Sequence, residues 1–141
     1  MPHSEAARIW LDEAALDLEW IESTSRSPSL HRRLCWAAQQ AAEKAIKAVL
    51  TYHGERFGKT HDLRVLLRKL EPVAGAPPRA GELIELTDYS EDARYPDDPL
   101  TVPPATAAAR TIGFDELDRA IELARLAYEW AEPIVYASDA E

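Results

Sequence analysis

The sequence predicts an all-α fold: an up-and-down bundle of four to five helices forming a single domain over residues 1–141. Three observations carry that expectation. Apolar residues recur at alternating spacings of four and three in three long segments, which places each set on one side of a helix. No segment alternates apolar and polar residues as a half-buried strand requires. The chain has 141 residues, 46% hydrophobic and 29% charged, the size and composition of one soluble globular domain.

The first series is Ala7, Leu11, Ala14, Leu18 and Ile21; the second is Leu34, Ala38, Ala41, Ala45, Ala48 and Tyr52. Thr60 is then expected to cap a shorter helix starting near His61, with Asp62 in its first turn opposing the helix dipole. That helix carries Leu63, Leu66, Leu67 and Leu70 and is expected to stop at Pro72, which has no N–H to give and collides with the preceding turn. PVAGAPP reads as a loop. A further helix is expected from Arg79 to Tyr89, built on Leu83, Leu86 and Tyr89. Residues 90–113 hold four prolines and no sustained period, which reads as a long loop of the kind that carries function, with one helical turn over Ala105–Arg110. The last helix is entered through Thr111 or Gly113, has Asp115 and Glu116 in its first turn, and repeats Leu117, Ile121, Ala124, Tyr128, Ala131 and Val135. The tail, residues 134–141, is expected to fray and be mobile. Trp10, Trp20, Trp36 and Trp130 all fall on the long helices, where packing or a helix–helix dimer surface is the economical account and base stacking the alternative.

Composition excludes several classes. No apolar run approaches the ~20 residues needed to cross a bilayer, so no membrane role is expected. The opening MPHSEAARIW lacks a basic segment followed by an apolar one, so no secretory signal is read. Cys35 stands alone, which rules out an intrachain disulfide, makes a cytoplasmic setting the default and suits a small packed side chain. The net charge of −9 argues against general adhesion to nucleic acid. Its distribution is uneven: residues 26–69 hold ten Lys/Arg against three Asp/Glu, and the remainder holds six against twenty-two. Either a basic face sits on an acidic body, or the two regions neutralise each other within the fold or across a dimer.

The second long helix raises the question of function. Its segment LCWAAQQAAEKAIKAVL is strongly helix-forming, yet holds Gln39, Gln40, Glu43, Lys44 and Lys47. Gln40, Lys44 and Lys47 share a face, and Glu43 with Lys47 makes an i,i+4 pair that contributes a few tenths of a kcal/mol (roughly) if exposed. On periodicity alone these residues are the solvated side of an amphipathic helix.

The run from Cys35 to Ala48, CWAAQQAAEKAIKA, resembles the core helix of HEPN-domain proteins. Thr60-His61-Asp62-Leu63 resembles that family's THDL segment, and Tyr89 with Ala93-Arg94-Tyr95-Pro96 resembles its tyrosine and ARYP segment. Order and spacing agree over roughly residues 5–135. The resemblance implies a compact bundle of four to five helices, often a homodimer, commonly paired with a minimal nucleotidyltransferase in a toxin–antitoxin type module. Some members are metal-independent ribonucleases and others are proposed to bind nucleotides.

The family's nuclease signature is an Arg followed, after four to six residues, by a His. Such a His can move a proton to or from a ribose 2′-OH, and the Arg can stabilise the developing phosphorane charge. Arg56 with His61 fits the spacing, as does Arg26 with His31. No His follows His61, although the family's motif usually lies late in the bundle, and Ala37 stands where the family often has His. The leading expectation is therefore a nucleotide- or RNA-interacting partner of a nucleotidyltransferase, with Lys44, Lys47, His61, Arg94 and Tyr95 as its binding residues. The alternatives are a metal-independent ribonuclease toxin using His61 and Arg56, and a non-catalytic helical dimerisation module. No cofactor or metal is expected: His3, His31, His53 and His61 show no ligand spacing, and no Gly-rich phosphate loop occurs.

Overall fold

A computed structural model describes residues 2–89 and 111–137, and every described element is helical or a turn. Helix α1 spans Pro2–Ser23, α2 His31–Tyr52, α3 Leu63–Ala74, α4 Ala80–Leu83 and α5 Phe114–Tyr136. A 3₁₀ turn, Pro28–Leu30, leads into α2, and a second, Ile84–Asp88, continues α4. The expected Arg94 and Tyr95, the ARYP segment and the turn at Ala105–Arg110 lie outside the described residues.

The three predicted stripes make the core. Ala7, Leu11, Ala14 and Ile21 of α1, Leu34, Ala38, Ala41, Ala45 and Ala48 of α2, and Leu117, Ile121, Ala124, Ala131 and Val135 of α5 are all buried. Cross-links fix the directions. Lys44 reaches Asp17, and Lys47 lies over Trp10, so α2 runs antiparallel to α1. Arg125 pairs with Glu22 and the Tyr136 hydroxyl donates to Asp12, so α5 runs antiparallel to α1 as well. Helix α2 is packed by α1, α5 and α3 at once. Its alanines make that geometry fit, because small side chains let three neighbours approach one axis. Where α2 ends, Gly54 adopts φ +74, and a Cβ there would lie 3.2 Å from His3 Nε2, so the close approach of the α1 N-terminus also calls for glycine.

The shorter helices depart from expectation at their ends. The cap of α3 is Asp62, not Thr60: the Asp62 side chain accepts from the Arg64 backbone N–H at 2.9 Å. The Thr60 hydroxyl accepts from Asp62 N–H at 3.1 Å, and Thr87 Oγ1 accepts from Leu63 N–H at 3.1 Å. Two side-chain acceptors thus hold the first free N–H groups of the helix. Helix α3 also continues past Pro72 to Ala74, and α5 continues past Pro133 to Tyr136 with Val135 buried, where a frayed tail was expected. Each proline sits in a last turn, so it removes one helical bond without a following segment to kink. The segment from Arg79 to Tyr89 is helical as expected but tightens into the 3₁₀ turn. Arg79 bridges Glu82 and Glu122, and Arg119 holds Glu82 and Glu85, which ties this segment to α5.

His31 closes the fold at the start of α2. It is buried; its Nδ1 lies 2.7 Å from the Ile112 carbonyl oxygen and its Nε2 3.0 Å from that of Arg26, with the Phe114 ring edge-on at 4.6 Å. It therefore joins the α1–α2 connection to the entry of α5. Replacing His31 with Leu removes the ring N–H that one of these buried carbonyls accepts from and the polar contact with the other. Urea unfolding followed by circular dichroism should show a loss of about 1–3 kcal/mol with an unchanged m value.

Candidate functional site

Gln39, Glu43 and Lys47 lie one turn apart along α2, so their side chains form a row. The structure places that row in the interior, whereas periodicity alone puts Glu43 and Lys47, with Gln40 and Lys44, on a solvated side. Side-chain exposure is 3% for Glu43 and 5% for Lys47. Glu43 accepts hydrogen bonds from Gln39 Nε2 at 2.8 Å and Lys47 Nζ at 3.0 Å. Gln39 in turn accepts from Gln40 Nε2 at 2.7 Å. The Lys47 ammonium lies 5.3 Å from the centres of both the Trp10 and Phe57 rings, which meet each other edge to face. An ammonium against two ring faces and a carboxylate is favourably placed even where water is excluded.

The third donor comes from outside the helix. His61 Nδ1 lies 3.0 and 3.1 Å from the two Glu43 oxygens. The capping of α3 explains how it arrives there: Asp62 is held in extended backbone, φ −83 and ψ 110, and His61 directly precedes it. The imidazole is 60% exposed even though the carboxylate beneath it is buried. No partner occurs at Nε2 among the described residues. The ring is thus anchored at one nitrogen and open at the other.

The other expected site residues separate around this centre. Lys47 shares a carboxylate with His61. Lys44 turns instead to α1, 2.9 Å from Asp17 Oδ2 and 4.0 Å from Glu13. Burial raises the Asp17 pKa above 3.8, outweighing the Lys44 hydrogen bond and charge that pull it down; the charges of Glu13 and Glu43 add to the rise. Neither lysine therefore presents an uncommitted ammonium. Arg56 is exposed on the α2–α3 connection together with Lys59, and Arg64 is exposed on the first turn of α3. The competing pair of the same spacing is structural: His31 is consumed by two backbone carbonyls, and Arg26 pairs with Asp118. Sequence reading missed Glu43 as the centre of the site and Gln39 as its support.

A second feature lies apart from these residues. A groove of about 280 Å³ between α1 and α5 is lined by Leu18, Glu19, Glu22, Arg125, Tyr128 and Glu129, among others. The Tyr128 hydroxyl is pushed up to about 12, first by burial and then by its bond to Glu132.

The fold and site together define an all-α bundle whose central helix carries a buried Gln–Glu–Lys row that grips a histidine from the following loop. The chain belongs to the HEPN-domain family: the family model described as HEPN domain matches residues 7–134. No curated protein and no solved structure matches it. Among the described residues no helix is long and apolar enough to cross a membrane.

The Asp17 assignment is directly checkable. A raised folded-state pKa means this group's contribution to stability is full below the unfolded value and is lost as pH rises through the folded one. Carboxyl NMR titration should place the Asp17 midpoint above 3.8. Lys44→Met should move it further up, because the lysine is the group pulling it down.

Proposed function

We propose that this HEPN-domain protein is a nucleotide- or RNA-interacting component of a toxin–antitoxin type module, partnered by a minimal nucleotidyltransferase and acting as a homodimer in the cytoplasm. The contact with phosphate is assigned to the α2–α3 corner. The observation that carries this reading is His61: its ring is exposed and fixed at Nδ1 by a buried carboxylate, and Arg56, Lys59 and Arg64, within five residues of it in the chain, are exposed. Guanidinium and ammonium groups recognise phosphate by charge, and an anchored imidazole adds a directed hydrogen-bonding group. Lys47 serves the site through Glu43 rather than by touching ligand. Lys44, held by Asp17, supports the same seam. Arg94 and Tyr95 complete the cluster in this reading. The outer side of α1, where Ile9, Leu16 and Trp20 are exposed at spacings of seven and four, supports self-association.

The same observation favours a second reading, a metal-independent ribonuclease. An anchored imidazole with a free Nε2 can take or give a proton at a ribose hydroxyl, and Arg56 can stabilise charge on the phosphoryl oxygens. Cleavage of an RNA oligonucleotide in the presence of a chelator, abolished by His61→Ala in a folded protein, is the outcome this reading expects.

The two variants Arg56→Ala and His61→Ala test the site under either reading. Each should weaken binding of a fluorescent RNA oligonucleotide by roughly 10- to 100-fold, the loss expected for one charge-assisted contact of about 1.5–3 kcal/mol. Anisotropy titrations at fixed salt measure it, and wild-type affinity in both variants rejects the assignment.

A further inference from the structure

We infer that Glu43 is a positioning residue that fixes His61 in one tautomer, with the proton on Nδ1 and Nε2 facing outward. The inference rests on the proposed role of His61 for its functional meaning, but its geometry stands independently. A carboxylate oxygen only accepts hydrogen bonds, so the ring nitrogen 3.0 Å from Glu43 Oε2 is the one that donates. In the neutral ring the other nitrogen then carries no proton.

Glu43 can impose this choice because it has no freedom of its own. Gln39 Nε2 and Lys47 Nζ hold one oxygen each, at 2.8 and 3.0 Å. Gln39 is oriented in turn by Gln40. Lys47 is fixed against the rings of Trp10 and Phe57. Three side chains from α2 and the α2–α3 connection therefore converge on one carboxylate, with Trp10 of α1 behind Lys47, and the direction of the His61 ring is inherited from the bundle core. Neutral His61 offers Nε2 as an acceptor, suited to a ligand hydroxyl or N–H group. Protonated His61 offers Nε2–H as a donor, suited to a phosphate oxygen, while Nδ1–H stays on Glu43. The same pose serves both, so the ring need not turn over when it changes charge.

Nitrogen-15 NMR of the imidazole in the full chain reads the tautomer without any ligand. Alkaline to the His61 titration, the wild-type protein should show a protonated Nδ1 and a bare Nε2. Removing Glu43 alone would leave Lys47 buried without a partner, so the test variant is Glu43→Leu with Lys47→Met, which replaces the ion pair by apolar groups of similar size. Its His61 should shift to the Nε2–H form that free imidazoles favour. Glu43→Gln with Lys47→Met retains an acceptor oxygen and should restore Nδ1–H. A wild-type ring protonated at Nε2 overturns the inference, and so does a tautomer unchanged in the Leu variant. The expected tautomer together with undiminished RNA binding by His61→Ala sustains the positioning role and overturns the functional reading instead.

Discussion

The carboxylate of Glu43 is the constraint around which the site is organised. A charge taken out of water is costly by several kcal/mol (roughly), and it persists only where partners fill its lone pairs. Here Gln39, Lys47 and His61 fill them. Each partner brings a different part of the chain. Gln39 and Lys47 come from α2 itself, Lys47 draws Trp10 of α1 and Phe57 of the α2–α3 connection around its ammonium, and His61 ties the start of α3 to the middle of α2. One buried acid thereby links the core to the exposed corner where Arg56 and Lys59 lie.

The charge pattern of the sequence leaves two accounts open, a basic face on an acidic body or neutralisation between the regions, and the ion pairs of the structure give examples of the second. Several basic groups are neutralised within the fold: Lys44 by Asp17, Arg26 by Asp118, Arg125 by Glu22. These links are partly exposed and act more as register marks between helices than as sources of stability. Arg56, Lys59, Arg64, Arg68 and Lys69 are exposed on the α2–α3 connection and α3. These five basic side chains thus lie at the surface of a chain whose net charge is −9.

The fold was legible because its signal is periodic: the stripes of Leu11, Leu34 and Leu117 name the core sides of three helices without further knowledge. Periodicity reports side but not depth, and this is where the site was misread. In a helix packed by three neighbours the face opposite the main stripe is buried too, so Glu43 and Lys47, which periodicity assigns to a solvated side, lie inside. A signal was available: Ile46 and Leu50 stand seven residues after Gln39 and Glu43, on the same face, and both are fully buried. Apolar residues sharing a face with charged ones mark a polar network inside a core. The fates of Arg26–His31 and Arg56–His61 were not legible, because five residues separate each pair and only tertiary context distinguishes a buried ring on two carbonyls from an exposed one on a carboxylate. Family resemblance located the THDL segment, but the cap at Asp62 that presents His61 depends on Thr60 and on Thr87, 24 residues beyond Leu63.

The claim on which the account turns is that Glu43 and Lys47 act as one buried unit. A double-mutant cycle in urea, with Glu43→Gln, Lys47→Met and the two combined, measures it directly. Each single substitution leaves a buried charge without its counter-charge and should cost about 3–5 kcal/mol, and the double variant should cost less than their sum by about 0.5–3 kcal/mol. Costs that add to within about 0.5 kcal/mol would show two independent side chains and contradict the account.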